Sequence, residues 1–425
     1  MSLPRGFTDA GPDRTAALRH LERRWFDSCA LWGFQPVRMP PAGFADTFTT
    51  GHHATGDRIY RFPDRKGRDL ALVSDSLPAA LRLAGNRNHP EQRLSYSCPI
   101  FRYERKPRRH FHHLGLMEVS RTHSTVPDQI RPIRRMIEIV TTFLGSDVSA
   151  EFTIANPGIW HEIAELFIPP AKVTGYLDIL RRMPTVERHH RLRADGAPDA
   201  ALAAARAMTS RTEPDHASEI PASITTKMRT SRELAGSLNR IGIRATTDLN
   251  ELHASEFHDG VAYVVRHGGS VIGDGGSYGR FATNFLGYPS VTYASVLGLE
   301  KVADLAGAHV HTGPAADVAI LSFPDPEPSE LAEQLANSLR VRGISAWEGV
   351  VSRSIRRHLR NISELHIPLT ILIGREEVLS PNYRIRENSG EIFYVPKSGV
   401  VEWVERWVRR CDEAADKPGF RSRRR

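Results

Sequence analysis

The stretch from Pro99 to Val119 restricts this chain more than any other. Aromatic and aliphatic side chains recur at short spacing from Pro99 to Arg105, and again from His110 to Val119, so both arms favour β-strands. Between them lies a basic turn, Lys106 to Arg109. The pattern predicts a hairpin with a cationic tip. Two uses fit such a tip. Surface arginines keep an edge hairpin soluble, or planar guanidinium groups hold a polyphosphate in a fixed fork. Local composition does not choose between them.

The rest of the chain narrows the choice. At 425 residues it is too long for one core and suits two or three domains. Hydrophobic content of 40% and charged content of 25% are ordinary for a soluble globular protein. A net charge of +8, carried mostly by arginine, favours an anionic partner such as a nucleotide or nucleic acid. Cys29, Cys98 and Cys411 are far apart and odd in number, which gives no disulfide framework and fits a reducing cytoplasm. No run approaches the length of a membrane span, so no membrane partner is expected.

Taken in order, the chain opens with an irregular strap at Pro4 to Pro12. Asp13 is the expected N-cap of a helix whose stripe is Leu18, Leu21, Trp25 and Cys29, stopped by Gly33. Gly33 to Pro41 reads as a strand. A hairpin turn at Tyr60 to Asp69 leads into Leu70 to Pro78, where Asp75 stands before a helix over Leu77 to Leu83. Pro127 to Gly145 reads as an amphipathic helix with Ile133, Met136, Ile137 and Val140 on one face. Residues 168–240 form a helical Ala/Arg-rich insert, in which Ala201 to Met208 is a helix with little to bury.

The last third is a small α/β unit. Strands are expected at Val318 to Ser322, Ile344 to Trp347 and Pro368 to Gly374, with parallel pairing. Helices are expected from Pro328-Ser329, over Ser352 to Asn361, and around Val401, Val404, Trp407 and Val408. The second carries an outward row of arginines, either a solvated face or an RNA-phosphate contact. The expected boundaries are 1–312, 313–412 and a basic tail at 413–425, with the last residues disordered. No metal site is assigned, since only His110 and His112 share a strand face.

Phe-Arg-Tyr-Glu-Arg at 101–105, the basic loop, and Phe111-His112 before Gly115 resemble motif 2 of class II aminoacyl-tRNA synthetases, in the histidyl-tRNA synthetase version. The opening helix, strand and prolines resemble motif 1. Val296 to Val302, with Gly-Leu-Glu-Lys, resembles motif 3. The final α/β unit resembles the anticodon-binding domain, and the likeness runs over roughly residues 4–408.

The resemblance implies an α+β class II catalytic core, an antiparallel sheet flanked by helices, followed by a small α/β anticodon-binding-like domain. It implies ATP with Mg2+, and a homodimer built through the motif 1-like region. Arg102 would grip the α-phosphate. Glu104 would face adenine, Phe111 would stack on it, Arg108 or Arg109 would reach the outer phosphates, and Lys301 would lie over the ring. Asp75 would hold the substrate's α-amino group, unless it serves only as a cap.

The substrate pocket departs from the histidine one. His253 stands for an arginine that assists adenylate formation, Phe257 and His258 for tyrosines, and Ser277 for an arginine before Tyr278. Met117 replaces a glutamate that reads the imidazole, and Glu118 lies one position off; a one-residue shift on a strand reverses the face. His113, on the same arm as Met117, also falls in the implied substrate pocket. The expected activity is ATP-dependent activation of an amino acid or related carboxylate as its adenylate, with transfer to tRNA or a small amine. The alternative is a non-catalytic paralogue acting as a regulatory or RNA- or partner-binding subunit.

Overall fold

The computed structural model describes residues 2–49, 58–87, 89–103, 108–121, 130–209, 220–253, 255, 257–306, 315–351 and 354–415. The chain divides into two compact units, residues 1–310 and 311–425.

The first unit contains β1 (Gln35–Pro36), β2 (Ala42–Phe44), β3 (Arg61–Pro63), β4 (Asp69–Leu72), β5 (Glu91–Phe101), β6 (His110–Arg121), β7 (Glu151–Ala155), β8 (Ala245–Thr247), β9 (Ala262–His267), β10 (Ser270–Ser277) and β11 (Ser290–Gly298). Eight of them form one sheet in the order β1-β5-β6-β11-β10-β9-β7-β8, and β2-β4-β3 form a smaller one. The end pairs β1·β5 and β7·β8 are parallel, and the pairs between them are antiparallel. This is the antiparallel core expected from the sequence.

The central hairpin is β5·β6, in unbroken register from Glu91↔Ser120 to Phe101↔His110. Its alternation separates two cores. Leu94, Tyr96, Cys98, Ile100, Met117 and Val119 pack on one face. Leu114 and Leu116 face the other, under the helices Pro12–Ala30 and Ile130–Leu144, where Trp25 stands edge-on to Phe143 at 5.2 Å. Gly115 is required on the first face. A Cβ there would sit 2.0 Å from the Tyr96 ring.

Several local expectations shift. The first helix is capped by Gly11 with Pro12 in its first turn, so Asp13 lies inside the helix rather than at its cap; proline lacks the N–H that a first turn leaves unpaired. The strand expected over Gly33 to Pro41 shortens to Gln35–Pro36, because Pro36, Pro40 and Pro41 cannot donate to a ladder.

The insert has a core of its own, built by Pro157–Glu165, Pro170–Arg182, Thr185–Ala194, Asp199–Ala207 and Ala222–Arg240 around Trp160, Leu180, Leu192 and Ile224. The helix expected to have little to bury is instead deep in it, with Ala201, Leu202, Ala204, Ala205, Ala207 and Met208 all buried. Alanines on several faces let neighbouring helices approach closely, which a search for large apolar side chains overlooks.

In the second unit, β12 (Val318–Ser322), β13 (Ala346–Val350), β14 (Leu369–Ile373), β15 (Asn382–Glu387) and β16 (Ile392–Pro396) make a sheet in the order β13-β12-β14-β15-β16. The first three strands are parallel as expected, and β15 and β16 add antiparallel to them. The helix expected from Pro328-Ser329 begins two residues earlier, at Pro326. The closing helix, Val400–Ala415, buries Val400, Val404 and Trp407. The expected disordered tail at its end lies outside the described residues. Among the described residues no helix is long and apolar enough to cross a membrane.

Candidate active site

The face of the large sheet that carries Tyr96 and Met117 opens, near the hairpin tip, into a cleft of about 560 Å³. That volume is in the range of small-molecule sites. Arg102, Arg108, Phe111, His113, His253 and Lys301 line it, with Asp274 and Glu300 as acids and Val271, Ile272, Val296 and Leu297 as an apolar wall. Cations beside an aromatic ring and an aliphatic slab suit a flat base attached to phosphates.

Arg102 follows β5 directly. Its Nε donates to the Ser74 carbonyl at 2.7 Å and its Nη2 to Asp75 Oδ2 at 3.0 Å, with the guanidinium 5.6 Å from the Phe111 ring centre. The side chain is held in a fixed pose yet keeps 28% exposure. Asp75 is both cap and partner: its Oδ1 accepts the Leu77 N–H at 2.9 Å, starting the helix Ser76–Asn86.

The choice left open at the turn divides by geometry. Arg108 lines the cleft and pairs with Asp304 at 2.9 Å; Asp304 also takes Arg14 at 2.7 Å. Arg109 does not line the cleft. Its guanidinium lies 4.4 Å from the Tyr103 ring centre, and its backbone N–H donates to the Gly6 carbonyl at 2.9 Å. Glu104 lies outside the described residues. Lys301 donates to the Val271 carbonyl at 2.9 Å across the cleft floor.

His113 is buried, with Nδ1 3.0 Å from Ser76 Oγ. Burial, reinforced by the Arg102 charge, lowers its pKa to about 4, so it is a neutral polar wall near pH 7. On the opposite face of β6, His112 donates to Glu300 from its backbone N–H at 2.8 Å and from Nδ1 at 2.7 Å. The contact with Glu300 raises the His112 pKa. Burial opposes ionisation of Glu300, but the His112 bonds hold its carboxyl below the usual range.

Six expected substrate residues, Asp75 among them, are not on the cleft wall. Met117 is fully buried in the core beneath. Glu118 points to the other side of the sheet, where Arg135 donates to it at 2.6 Å; the period of two on a strand places it away from Arg102. Glu118 therefore does not line this cleft. Ser277 Oγ donates to Asp259 Oδ1 at 2.7 Å. Tyr278 is buried, its ring 4.4 Å from that of His258, which is itself 1% exposed.

Asp274 was not legible as a site residue. It sits on β10 between Gly273 and Gly275, opposite Val296 of β11, which is opposite Gly115 of β6. Around it stand His253 Nε2 at 3.3 Å, Tyr278 OH at 3.4 Å and His258 Nε2 at 3.8 Å. Burial opposes its charge, but the two histidines outweigh burial and hold its carboxyl well below the usual range. A turn-forming run of glycines hides such a residue. The clue in the sequence is an acid in a glycine-rich strand, where small neighbours leave open space beside it.

Residues 6–294 match the family described as histidyl-tRNA synthetase, and residues 317–407 match the anticodon binding domain. A histidine–tRNA ligase of Archaeoglobus fulgidus is 24% identical over 399 residues, 90% of this chain and 94% of that protein. An ATP phosphoribosyltransferase regulatory subunit of Moorella thermoacetica is 39% identical over 123 residues, 27% of this chain and only 32% of that protein. The crystal structure of a histidyl-tRNA synthetase from a Nostoc species superposes with a TM-score of 0.72 at 16% identity, covering 96% of this chain and 99% of that one, which shows a shared fold. A class II synthetase core is thus followed by an anticodon-binding domain, and the chain belongs to the histidyl-tRNA synthetase family.

Proposed function

We propose that the chain is an ATP-dependent ligase that activates an amino acid as its adenylate. The observation that carries this reading is Arg102, oriented by Ser74 and Asp75 and still exposed to the cleft beside Phe111. ATP enters with its base against Phe111 and the Val296–Leu297 wall. Arg102 takes the α-phosphate, Arg108 meets the outer phosphates, and Lys301 lies over the base. The substrate carboxylate attacks the α-phosphorus, pyrophosphate leaves, and fixed guanidinium charge stabilises the phosphorus centre. His253, at the cleft rim, is the second group placed near that centre.

Among the described residues no three His, Cys, Asp or Glu side chains gather into a metal site. Glu300 fits poorly as a ligand, because His112 occupies both of its oxygens. Mg2+ therefore enters on the triphosphate, where it would neutralise phosphate charge. The acceptor is tRNA or a small amine. The match of the second unit to an anticodon-binding domain supports tRNA. From the resemblance to the family we infer a cytoplasmic homodimer, with the motif 1-like helix and strand at the shared surface.

A second reading, a non-catalytic regulatory subunit, is favoured by one observation: Asp75, the implied ammonium holder, is already engaged at both oxygens. Likeness to a regulatory subunit over part of the chain agrees with it. Amino-acid-dependent exchange of pyrophosphate into ATP separates the two. Exchange with at least one amino acid supports the ligase; amino-acid binding with no exchange supports the regulatory subunit.

A further inference from the structure

Among the described residues Asp75, Glu300 and Asp274 stand at or beside the cleft, and the first two are engaged at both oxygens. Asp75 accepts at 2.9 and 3.0 Å, and Glu300 at 2.7 and 2.8 Å. Asp274 differs. Its contacts among the described residues are 3.3, 3.4 and 3.8 Å, all longer than a normal charged hydrogen bond. A carboxylate offers about four acceptor positions, and leaving a buried one poorly served costs free energy. Its side chain is 18% exposed, and the exposed part borders the cleft.

The neighbouring histidine repeats the pattern. His258 is 1% exposed, and its Nε2 has no hydrogen-bond partner among the described residues. Its Nε2 faces Asp274 from 3.8 Å, too far to give the carboxylate a full hydrogen bond, and its Nδ1 lies 3.4 Å from the Ser277 carbonyl.

We propose that Asp274 receives a cationic group of the amino-acid substrate: an ammonium, imidazolium or guanidinium. The inference rests on the amino-acid reading of this cleft. The cation's N–H groups go to the under-served Asp274 carboxylate. A substrate lacking such a cation leaves the carboxylate poorly served, which is the stronger form of discrimination. The group is either the substrate's α-ammonium or a basic side chain.

Calorimetric titration of the full chain and of Asp274→Asn with L-histidine, L-arginine, L-lysine, L-leucine and the other proteinogenic amino acids tests this, with circular dichroism as the control on folding. Wild type is expected to bind at least one amino acid, and Asp274→Asn to bind it about 10- to 100-fold more weakly. A loss confined to basic amino acids assigns the contact to the side chain; an equal loss for L-leucine assigns it to the α-ammonium. Unchanged affinity in a folded Asp274→Asn overturns the inference alone. No amino-acid binding by wild type overturns the amino-acid reading and the inference with it. Should Asp274→Asn not fold, Asp274→Glu keeps the charge but displaces it, and unchanged affinity there overturns the inference.

Discussion

Arg102 and Asp75 form one unit: Nη2 of the arginine donates to Oδ2 of the aspartate at 3.0 Å, while Oδ1 caps the helix Ser76–Asn86 through the Leu77 N–H. Helix start and phosphate-binding guanidinium are thereby tied through a single carboxyl. Asp75→Ala is expected to lower stability by about 1–2 kcal/mol, mostly through the lost cap. Urea unfolding measures it, and a loss near zero would contradict the cap's role.

The two tip arginines predict opposite phenotypes. Arg108 lines the cleft, and Arg109 packs on Tyr103 and the strap at Gly6. Arg108→Ala is expected to weaken ATP binding by about tenfold, the worth of one charged hydrogen bond. Arg109→Ala is expected to change it by less than about twofold while lowering the melting temperature. Fluorescence or calorimetric titration of both variants decides.

Glu118 points away from the cleft toward Arg135. Glu118→Gln is expected to leave ATP and amino-acid affinities within about twofold of wild type, and to cost about 1–3 kcal/mol of stability, because its pair with Arg135 is largely buried. A large loss of amino-acid affinity would place Glu118 in the pocket after all.

His113 predicts a pH dependence. Its pKa is lowered from 6.5 to about 4, chiefly by burial. The unfolded chain therefore takes up a proton at higher pH than the folded one. Its contribution is complete above pH 6.5 and declines as pH falls, until the folded protein also protonates near pH 4. The loss is on the order of 3 kcal/mol across that window. His113→Gln should flatten this part of the stability profile, measured by urea unfolding at pH 6.5 and pH 4.5. An unaltered slope would show that His113 is not the group responsible.

The hairpin was legible because strand alternation is local: each arm of 99–119 carries its own face pattern, and β5·β6 pair without a shift. The basic tip was legible for the same reason, but not which arginine turns inward. That depends on Gly6 and Tyr103, brought to the turn by distant parts of the chain. Asp274 was hidden because its role comes from His253, Tyr278 and His258, which only the folded sheet gathers around it. The buried alanine helix of the insert was misread because alanine carries little hydrophobic signal, although its small size is what lets helices close on it.

Calorimetric titration of ATP into wild type and Arg102→Ala tests the central claim most directly. Wild type is expected to bind ATP, and Arg102→Ala to lose at least about 100-fold in affinity, as the charged fork over Phe111 disappears. Equal affinity in the two proteins, or no binding of ATP by wild type, would contradict the account.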